Sequence, residues 1–376
     1  MKVGIITIHN SPSYGASLQS YALWKYISMQ GIDCEIIDLH RPHQKDYVPS
    51  KKHKPFKPFS AKLKDMVKKM LGYTPNPYLT DEAHNKFDEF NLKIKLSRPY
   101  LGIDDLYQNP PEYDLYITGS DQVWNPFQPY CLEPYFLTFA QKGKRCISYA
   151  ASIGISELPK NVADDFKKWI EHYDSVAVRE QTAQKILSEI TDKKTVRVCD
   201  PTFLLSGQQW REIAVSPENE QKYILVFSLG KSQLLLDYAA KLSRESGFQV
   251  LVIGKKDERD NGKPYKIIDD AGPGEFLGYI ANAEMVITDS FHGTVFSIIM
   301  EANNFFTYIS PDNKRGSRIT DLLDTLELKE HLLDTTLSIS FLELNGKKID
   351  RDKTKGLLEN MKEESVKYLR EQLKQK

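Results

Sequence analysis

Five short stretches of this sequence gather histidine, arginine, carboxylates, hydroxyls and glycine at spacings suited to binding turns. They read VITDSFHGTVFS (286–297), HNSPSYGASLQ (9–19), TGSDQVWN (118–125), VREQ (178–181) and CDPTFLL (199–205). In the first, His292 has the titration range to move a proton, and Gly293 lets a ligand come close to the backbone. The amides of Gly293 and Thr294, at a helix start, are expected to hold a phosphate or carboxylate. A helix amino terminus disfavours imidazolium, so His292 is expected to stay neutral until an anion binds beside it. The plainer alternative is a histidine that caps the helix or sits in the core, satisfied by backbone. Arg179 can fork onto a carboxylate or phosphate with Glu180 orienting it, or simply form a surface ion pair. In TGSDQVWN, Gly119 allows an unusual turn, Ser120, Asp121 and Gln122 offer hydrogen bonds, and Trp124 offers an aromatic face of the kind sugars stack on. An ordinary turn with Asp121 as a cap is the alternative there. Tyr14 and Gly15 before a helix suit anion or hydroxyl binding. Asp200 is read as a cap or turn residue in preference to a catalytic one.

Each stretch follows a β-type run, and in open parallel sheets ligands bind outside the carboxyl ends of the strands. Apolar runs at Val3 to Ile8, Leu115 to Thr118, Arg145 to Ser148 and Ser175 to Val178 alternate with helical periodicity at 18–27 and 162–172. The alternation repeats with strands at 223–227, 249–253, 266–268 and 285–288 and helices at 232–246 and 275–283. This predicts an α/β protein of two Rossmann-like lobes, each a mostly parallel sheet with helices on both faces. The expected boundaries are an N-terminal lobe over 1–172, a C-terminal lobe over 173–350, and a C-terminal amphipathic helix over 351–376 whose docking target is open. A length of 376 residues agrees with two domains and hence a cleft.

Lys plus Arg equals Asp plus Glu at 51 each. Without a surplus of cations to neutralise phosphates, nucleic acid is not expected as the partner. The four cysteines show no CxxC spacing and read as buried thiols, so no metal is expected. No P-loop, HExxH, GxSxG or GxGxxG is present, which removes the common NTPase, zinc protease, α/β-hydrolase and dinucleotide readings. No secretion signal or apolar stretch of about 18 residues is seen, so a cytoplasmic protein is expected. The one charge asymmetry is residues 45–70, with nine lysines against two aspartates and three prolines. It is either a solvated insertion or, with Phe56 and Phe59 among the lysines, a patch that approaches the inner face of an anionic membrane or a lipid-pyrophosphate-linked substrate.

Taken together and in order, SYGASLQSYAL, YDLYITGSDQVWNP, SYAASIG, VAVREQTAQKIL, CDPTFLL, GPGEFLGYIANAEMVITDSFHGTVFSIIM and RGSRITDLLDTL resemble the polysaccharide pyruvyl transferase family over about residues 1 to 327. The resemblance implies a GT-B-like fold and transfer of a pyruvyl group from phosphoenolpyruvate to two hydroxyls of a sugar, giving a cyclic ketal and phosphate. The acceptor would be a cell-surface polysaccharide or its precursor, free or lipid-linked. It implies His292 as the essential histidine and Arg179 as the phosphoenolpyruvate-binding arginine, with no metal or organic cofactor. Ser290, Gly293 and Thr294 would complete the donor site. Tyr14, Gly15, Ser120, Asp121, Gln122 and Trp124 would supply the acceptor side. Ser290 stands where the family pattern has arginine, and Lys314, Arg315 and Arg318 are the candidates to replace that contact. Ser13 stands where asparagine is common. Two other readings remain open: a GT-B-type glycosyltransferase using a nucleotide sugar, and a non-catalytic glycan-binding relative. Preference for a nucleotide sugar, or sugar affinity without phosphoenolpyruvate affinity, would distinguish them.

Overall fold

The computed structural model describes residues 1–56, 80–218, 221–311 and 316–375. Lys314 and Arg315, and the part of the basic stretch beyond Phe56, lie outside the described residues.

The N-terminal sheet is built from β1 (Lys2–Ile6), β2 (Asp33–Ile36), β3 (Leu115–Thr118) and β4 (Arg145–Ser148) in the order β2-β1-β3-β4, every pair parallel. β3 is buried along its whole length, and the other three are exposed or half-buried only at their first residue. That burial explains the continuous apolar runs in place of alternation. Helix α1 (Tyr14–Ser28) makes the first crossover, and α2 (Asp81–Asn91), capped by the Thr80 hydroxyl on the Ala83 amide, packs near it. The short α3 (Ile103–Gln108) precedes β3, and α4 (Lys160–Ile170) follows β4.

β5 (Val176–Val178) and β6 (Thr195–Arg197), joined by α5 (Gln181–Ile190), form a parallel pair. The Ser148 amide donates to the Ser175 carbonyl at 3.1 Å and the Ala151 amide to the Ala177 carbonyl at 3.3 Å, so β5 lies along β4. The expected lobe boundary at residue 172 is therefore corrected. Residues 175–197 continue the first sheet, because the backbone groups of β4 find their partners in β5 and not in a new sheet.

The C-terminal sheet has the order β11-β10-β7-β8-β9, all parallel, from β7 (Tyr223–Phe227), β8 (Gln249–Ile253), β9 (Lys266–Ile268), β10 (Met285–Thr288) and β11 (Phe305–Thr307). Chain order reverses between β7 and β10, the position at which doubly wound sheets open a crevice. Helices α6 (Gln233–Ser246), α7 (Pro273–Ala281), α8 (Phe291–Ile299) and α9 (Ser317–Thr325) flank it. The expected helix over 275–283 begins earlier, at Pro273, where proline fits a first helical turn.

The last helix, α10 (Arg351–Lys374), crosses back to the first lobe. Its Ser365 hydroxyl accepts the Cys199 amide at 2.8 Å, its Tyr368 hydroxyl donates to the Ser148 carbonyl at 2.9 Å, and Arg145 donates to the Gln372 and Gln375 carbonyls. One hydrophobic core runs through both lobes, from Val3 and Leu18 to Phe276, Val295 and Leu369. At the junction Tyr14 of α1 stacks on Phe276 of α7 at 4.4 Å between ring centres and lies beside Phe87 and Phe227. The four cysteines are free and buried. Among the described residues no helix is long and apolar enough to cross a membrane.

Candidate active site

The turns after β3, β5 and β6 and the start of α8 converge on one buried point. The Arg179 guanidinium lies 2.5 Å from Asp200 Oδ2, 3.4 Å from Ser120 Oγ, and 3.8 Å from Glu180 Oε2 through its Nε. It also lies 4.8 Å from the centre of the Phe291 ring, a cation–π distance. His292 Nε2 lies 3.6 Å from the same Asp200 oxygen. Asp200 thus stands between a cation and the histidine. Its two oxygens divide the work: Oδ1 accepts the Thr202 amide at 3.0 Å and hydroxyl at 2.7 Å, capping a 3-10 turn at Pro201–Leu204, while Oδ2 faces Arg179 and His292. The cap reading of Asp200 holds but covers only half of the carboxylate.

Burial alone would raise the Asp200 carboxyl. The neighbouring His292, 3.6 Å away, and then the charge of Arg179 outweigh that and hold it well below the usual carboxylate range. Burial likewise works against the Arg179 cation, and Asp200 and then Glu180 overcome it, so the guanidinium stays charged. Glu180 is itself positioned by three donors on Oε1: Ser152 Oγ at 2.7 Å and the Ile153 and Gly154 amides at 3.1 Å each. Arg179 and Glu180 are no surface pair, since each side chain is 3% exposed.

His292 is buried at the lobe junction. On one side is Asp200; on the other is Gly15 of α1, where a Cβ would lie 2.1 Å from His292 Nδ1. Glycine at 15 is what lets α1 approach the ring. At 293 a Cβ would meet the Thr288 hydroxyl at 2.3 Å, so glycine there serves helix–strand packing. The expected anion site on the α8 amides is corrected. Ser290 caps the helix, its hydroxyl accepting the Gly293 amide at 3.3 Å, and the Thr294 amide donates to the Ser290 carbonyl at 3.0 Å. The Thr294 hydroxyl is also occupied, by the Ser290 carbonyl and by Thr307. The negative charge expected beside His292 from a bound anion is already supplied by Asp200. One residue before Ser290, Asp289 links the turns after β10 and β7, accepting the Ser228 hydroxyl at 2.7 Å and the Leu229 amide at 2.8 Å; burial raises its carboxyl above the ordinary value.

Beside this cluster is a cavity of about 310 Å³ walled by α9, α10 and the turns after β5 and β6. Arg179, Asp200, Phe291 and Arg318 line it, together with Glu180 and Asp321. The Arg318 guanidinium lies 5.4 Å from the Phe291 ring centre, so two guanidinium groups flank one phenyl ring. Of the three basic residues considered as replacements for an arginine at 290, Arg318 is the one the described structure brings to the cluster.

The acceptor-side expectations separate. Ser120 joins the Arg179–Asp200 pair. Trp124 is corrected: it is fully buried, stacked on Phe136 at 4.9 Å, with its indole nitrogen donating to the Tyr135 carbonyl, and offers no face to a sugar. Tyr14 is also committed, its hydroxyl donating to the Ala271 carbonyl across the lobes at 2.8 Å. Gln122 accepts from Asn125 and packs against Gly154, and Asp121, at a φ of 70°, accepts the Gln122 amide. What these residues share is a location at the carboxyl edge of the first sheet.

The sequence model of the polysaccharide pyruvyl transferase family matches residues 14–311, from the Tyr14–Gly15 pair to beyond the α8 histidine. The chain belongs to this family. It is therefore a member of a transferase family acting on polysaccharide, and the family match covers Arg179, Asp200 and His292. No curated protein sequence gives a significant match. Among solved structures, the UDP-N-acetylglucosamine 2-epimerase from Rickettsia bellii is similar with a TM-score of 0.53 at 11% identity over 98% of this chain and 95% of that one. The spinosyn forosaminyltransferase has a TM-score of 0.46 at 13% identity over 98% and 95% of the two chains. The UDP-GlcNAc 2-epimerase from Methanocaldococcus jannaschii has a TM-score of 0.46 at 13% identity over 96% and 93%. At such identities the likeness concerns the fold, which is of the two-lobed GT-B type.

Proposed function

We propose that this member transfers the pyruvyl group of phosphoenolpyruvate to two hydroxyls of a sugar in a cell-surface polysaccharide or its precursor. The observation that carries the reading is the Arg179–Asp200–His292 cluster, buried at the lobe junction beside a 310 Å³ cavity with arginines on its wall. One sugar hydroxyl adds across the enol double bond of phosphoenolpyruvate: its oxygen bonds to C2, its O–H bond breaks, and the proton is delivered to the methylene carbon. The second sugar oxygen then displaces phosphate at C2, and that hydroxyl's proton leaves with the phosphate. The products are a cyclic ketal and inorganic phosphate, and the balance needs no cofactor.

In this reading Arg179, with Arg318 across Phe291, holds the donor's carboxylate or phosphate as charge develops at C2. His292 moves the proton. Asp200 is a positioning residue: its Oδ2, 3.6 Å from Nε2, faces the ring and balances imidazolium charge. His292 is only 9% exposed, with Asp200 on one side and Gly15 on the other, so substrate reaches it when the lobes part. Calorimetric titration of phosphoenolpyruvate into the wild type, Arg179→Ala and His292→Ala, with a nucleotide sugar as control, tests the reading. Binding by wild type that fails in Arg179→Ala, with turnover abolished in His292→Ala, supports it. Preference for the nucleotide sugar moves the assignment to glycosyl transfer.

A further inference from the structure

Residues 45–56 do not hang free of the N-terminal lobe. The Val48 amide donates to the Leu101 carbonyl at 2.7 Å, the Ser50 hydroxyl donates to Asp104 at 2.6 Å, and His53 pairs with Glu133 at 2.5 Å while stacking on Tyr107 at 4.5 Å. Phe56 meets Phe127 at 6.1 Å between ring centres. This strap lies on the carboxyl rim of the first sheet. It follows β2, packs beside a segment that runs parallel to β2 up to Tyr100, and touches the turn after β3 through Phe127. The same rim carries Ser120 and Gln122.

The strap shows two features that do not belong together on a merely solvated surface. Val48 and Phe127 are 56% and 52% exposed, and Leu101, whose carbonyl accepts the Val48 amide, is 37% exposed. Lys45, Lys51, Lys52 and Lys54 are all exposed, and none forms an ion pair with a described carboxylate. The nearby acids are already engaged: Asp46 by His40, Asp104 by Ser50, Glu133 by His53 and Asp105 by Arg98. Unpaired ammonium groups around projecting apolar side chains match the headgroup region of an anionic bilayer, where cations meet phosphate and the apolar tips enter the acyl boundary. A soluble polyanion would satisfy the lysines but leave Val48 and Phe127 in water.

We propose that residues 45–56, with Leu101 and Phe127, dock this rim on an anionic lipid surface and turn the acceptor side of the cleft toward substrates held there. The contact does not depend on which donor the cleft uses. Vesicle co-sedimentation of the full chain tests it, using phosphatidylcholine alone and phosphatidylcholine mixed equally with phosphatidylglycerol. The wild type is expected to bind only the anionic vesicles, more weakly as salt rises. Lys51→Ala/Lys52→Ala/Lys54→Ala is expected to lose about fivefold per lysine, on the order of a hundredfold together. Val48→Ser/Phe127→Ser is expected to weaken binding as well. Both variants alter exposed side chains, and both should titrate phosphoenolpyruvate as wild type does, which separates this contact from the donor reading. Absence of wild-type binding to anionic vesicles overturns the proposal, as does unchanged binding by the lysine variant. Unchanged binding by Val48→Ser/Phe127→Ser, with full competition by soluble polyphosphate, would instead make the strap a simple polyanion site.

Discussion

Replacing Gly15 with alanine sets one methyl group against the histidine at the lobe junction. The added Cβ would sit 2.1 Å from His292 Nδ1, which is 1.3 Å short of the 3.4 Å at which ordinary contacts begin. Gly15 lies in the first turn of α1 without a positive φ, so alanine fits the backbone and gains up to about 1 kcal/mol of helix propensity. Against that, overpacking costs about 1–3 kcal/mol, and the ring cannot retreat freely because Asp200 lies 3.6 Å behind its other nitrogen. Net stability should therefore fall by no more than about 3 kcal/mol. Activity should suffer far more, because a displacement of about 1 Å at a proton-transferring group costs on the order of a hundredfold in rate. The assays are urea unfolding of both proteins alongside phosphate release from phosphoenolpyruvate with an acceptor sugar. Wild-type turnover in Gly15→Ala together with raised stability would refute the argument, since it would mean that the helix and the imidazole are not pressed together.

Asp200→Asn keeps an oxygen for the Thr202 cap but leaves Arg179 buried without its nearest carboxylate, with Glu180 at 3.8 Å as the remaining ion-pair partner. Unfolding free energy should drop by about 3 kcal/mol, at the lower end for a broken buried pair, by urea titration at neutral pH. The Asp200 carboxyl is held below its ordinary value, so its stabilisation is complete above about pH 4 and lost as pH falls through the lower folded-state value. The gap between wild type and Asp200→Asn should therefore narrow in acid; a gap that stays the same down to low pH would contradict the pairing. Arg179→Lys exchanges a planar fork stacked on Phe291 for a point charge, and should weaken phosphoenolpyruvate binding about tenfold or more by calorimetry. Ser365→Ala orphans the buried Cys199 amide and loosens α10 at the cavity wall; a loss of about 1–3 kcal/mol in urea unfolding is expected.

Much of the architecture was legible locally, because the central parallel strands are buried on both faces and read as short apolar runs ended by a turn. Leu115–Thr118, Tyr223–Phe227 and Gln249–Ile253 were readable to the residue for that reason. Where β5 belongs was not legible. A three-residue strand, VAV, carries no mark of its neighbour; hydrogen bonds formed in the fold, among them Ser148–Ser175 and Ala151–Ala177, attach it to the first sheet. The docking of α10 was equally hidden, since amphipathic periodicity shows that a helix has a buried face but not what covers it.

At the site, residue type and position at strand ends sufficed to nominate Arg179, Ser120 and His292, because binding groups gather where parallel strands stop. Asp200 occupies the same kind of position and could have been nominated on that signal; the cap reading concealed it, although a carboxylate has an oxygen to spare after capping one amide. Trp124 and Tyr14 were misread because aromatic character states nothing about exposure, and the core claimed the one and the lobe junction the other. By itself the sequence determined the order of strands and helices, the family, and which chemical groups stand at strand ends. Tertiary structure decided which of those groups meet, because residues 15, 120, 179, 200 and 292 are separated by tens of residues of chain and are brought together only when the two sheets close on a shared core.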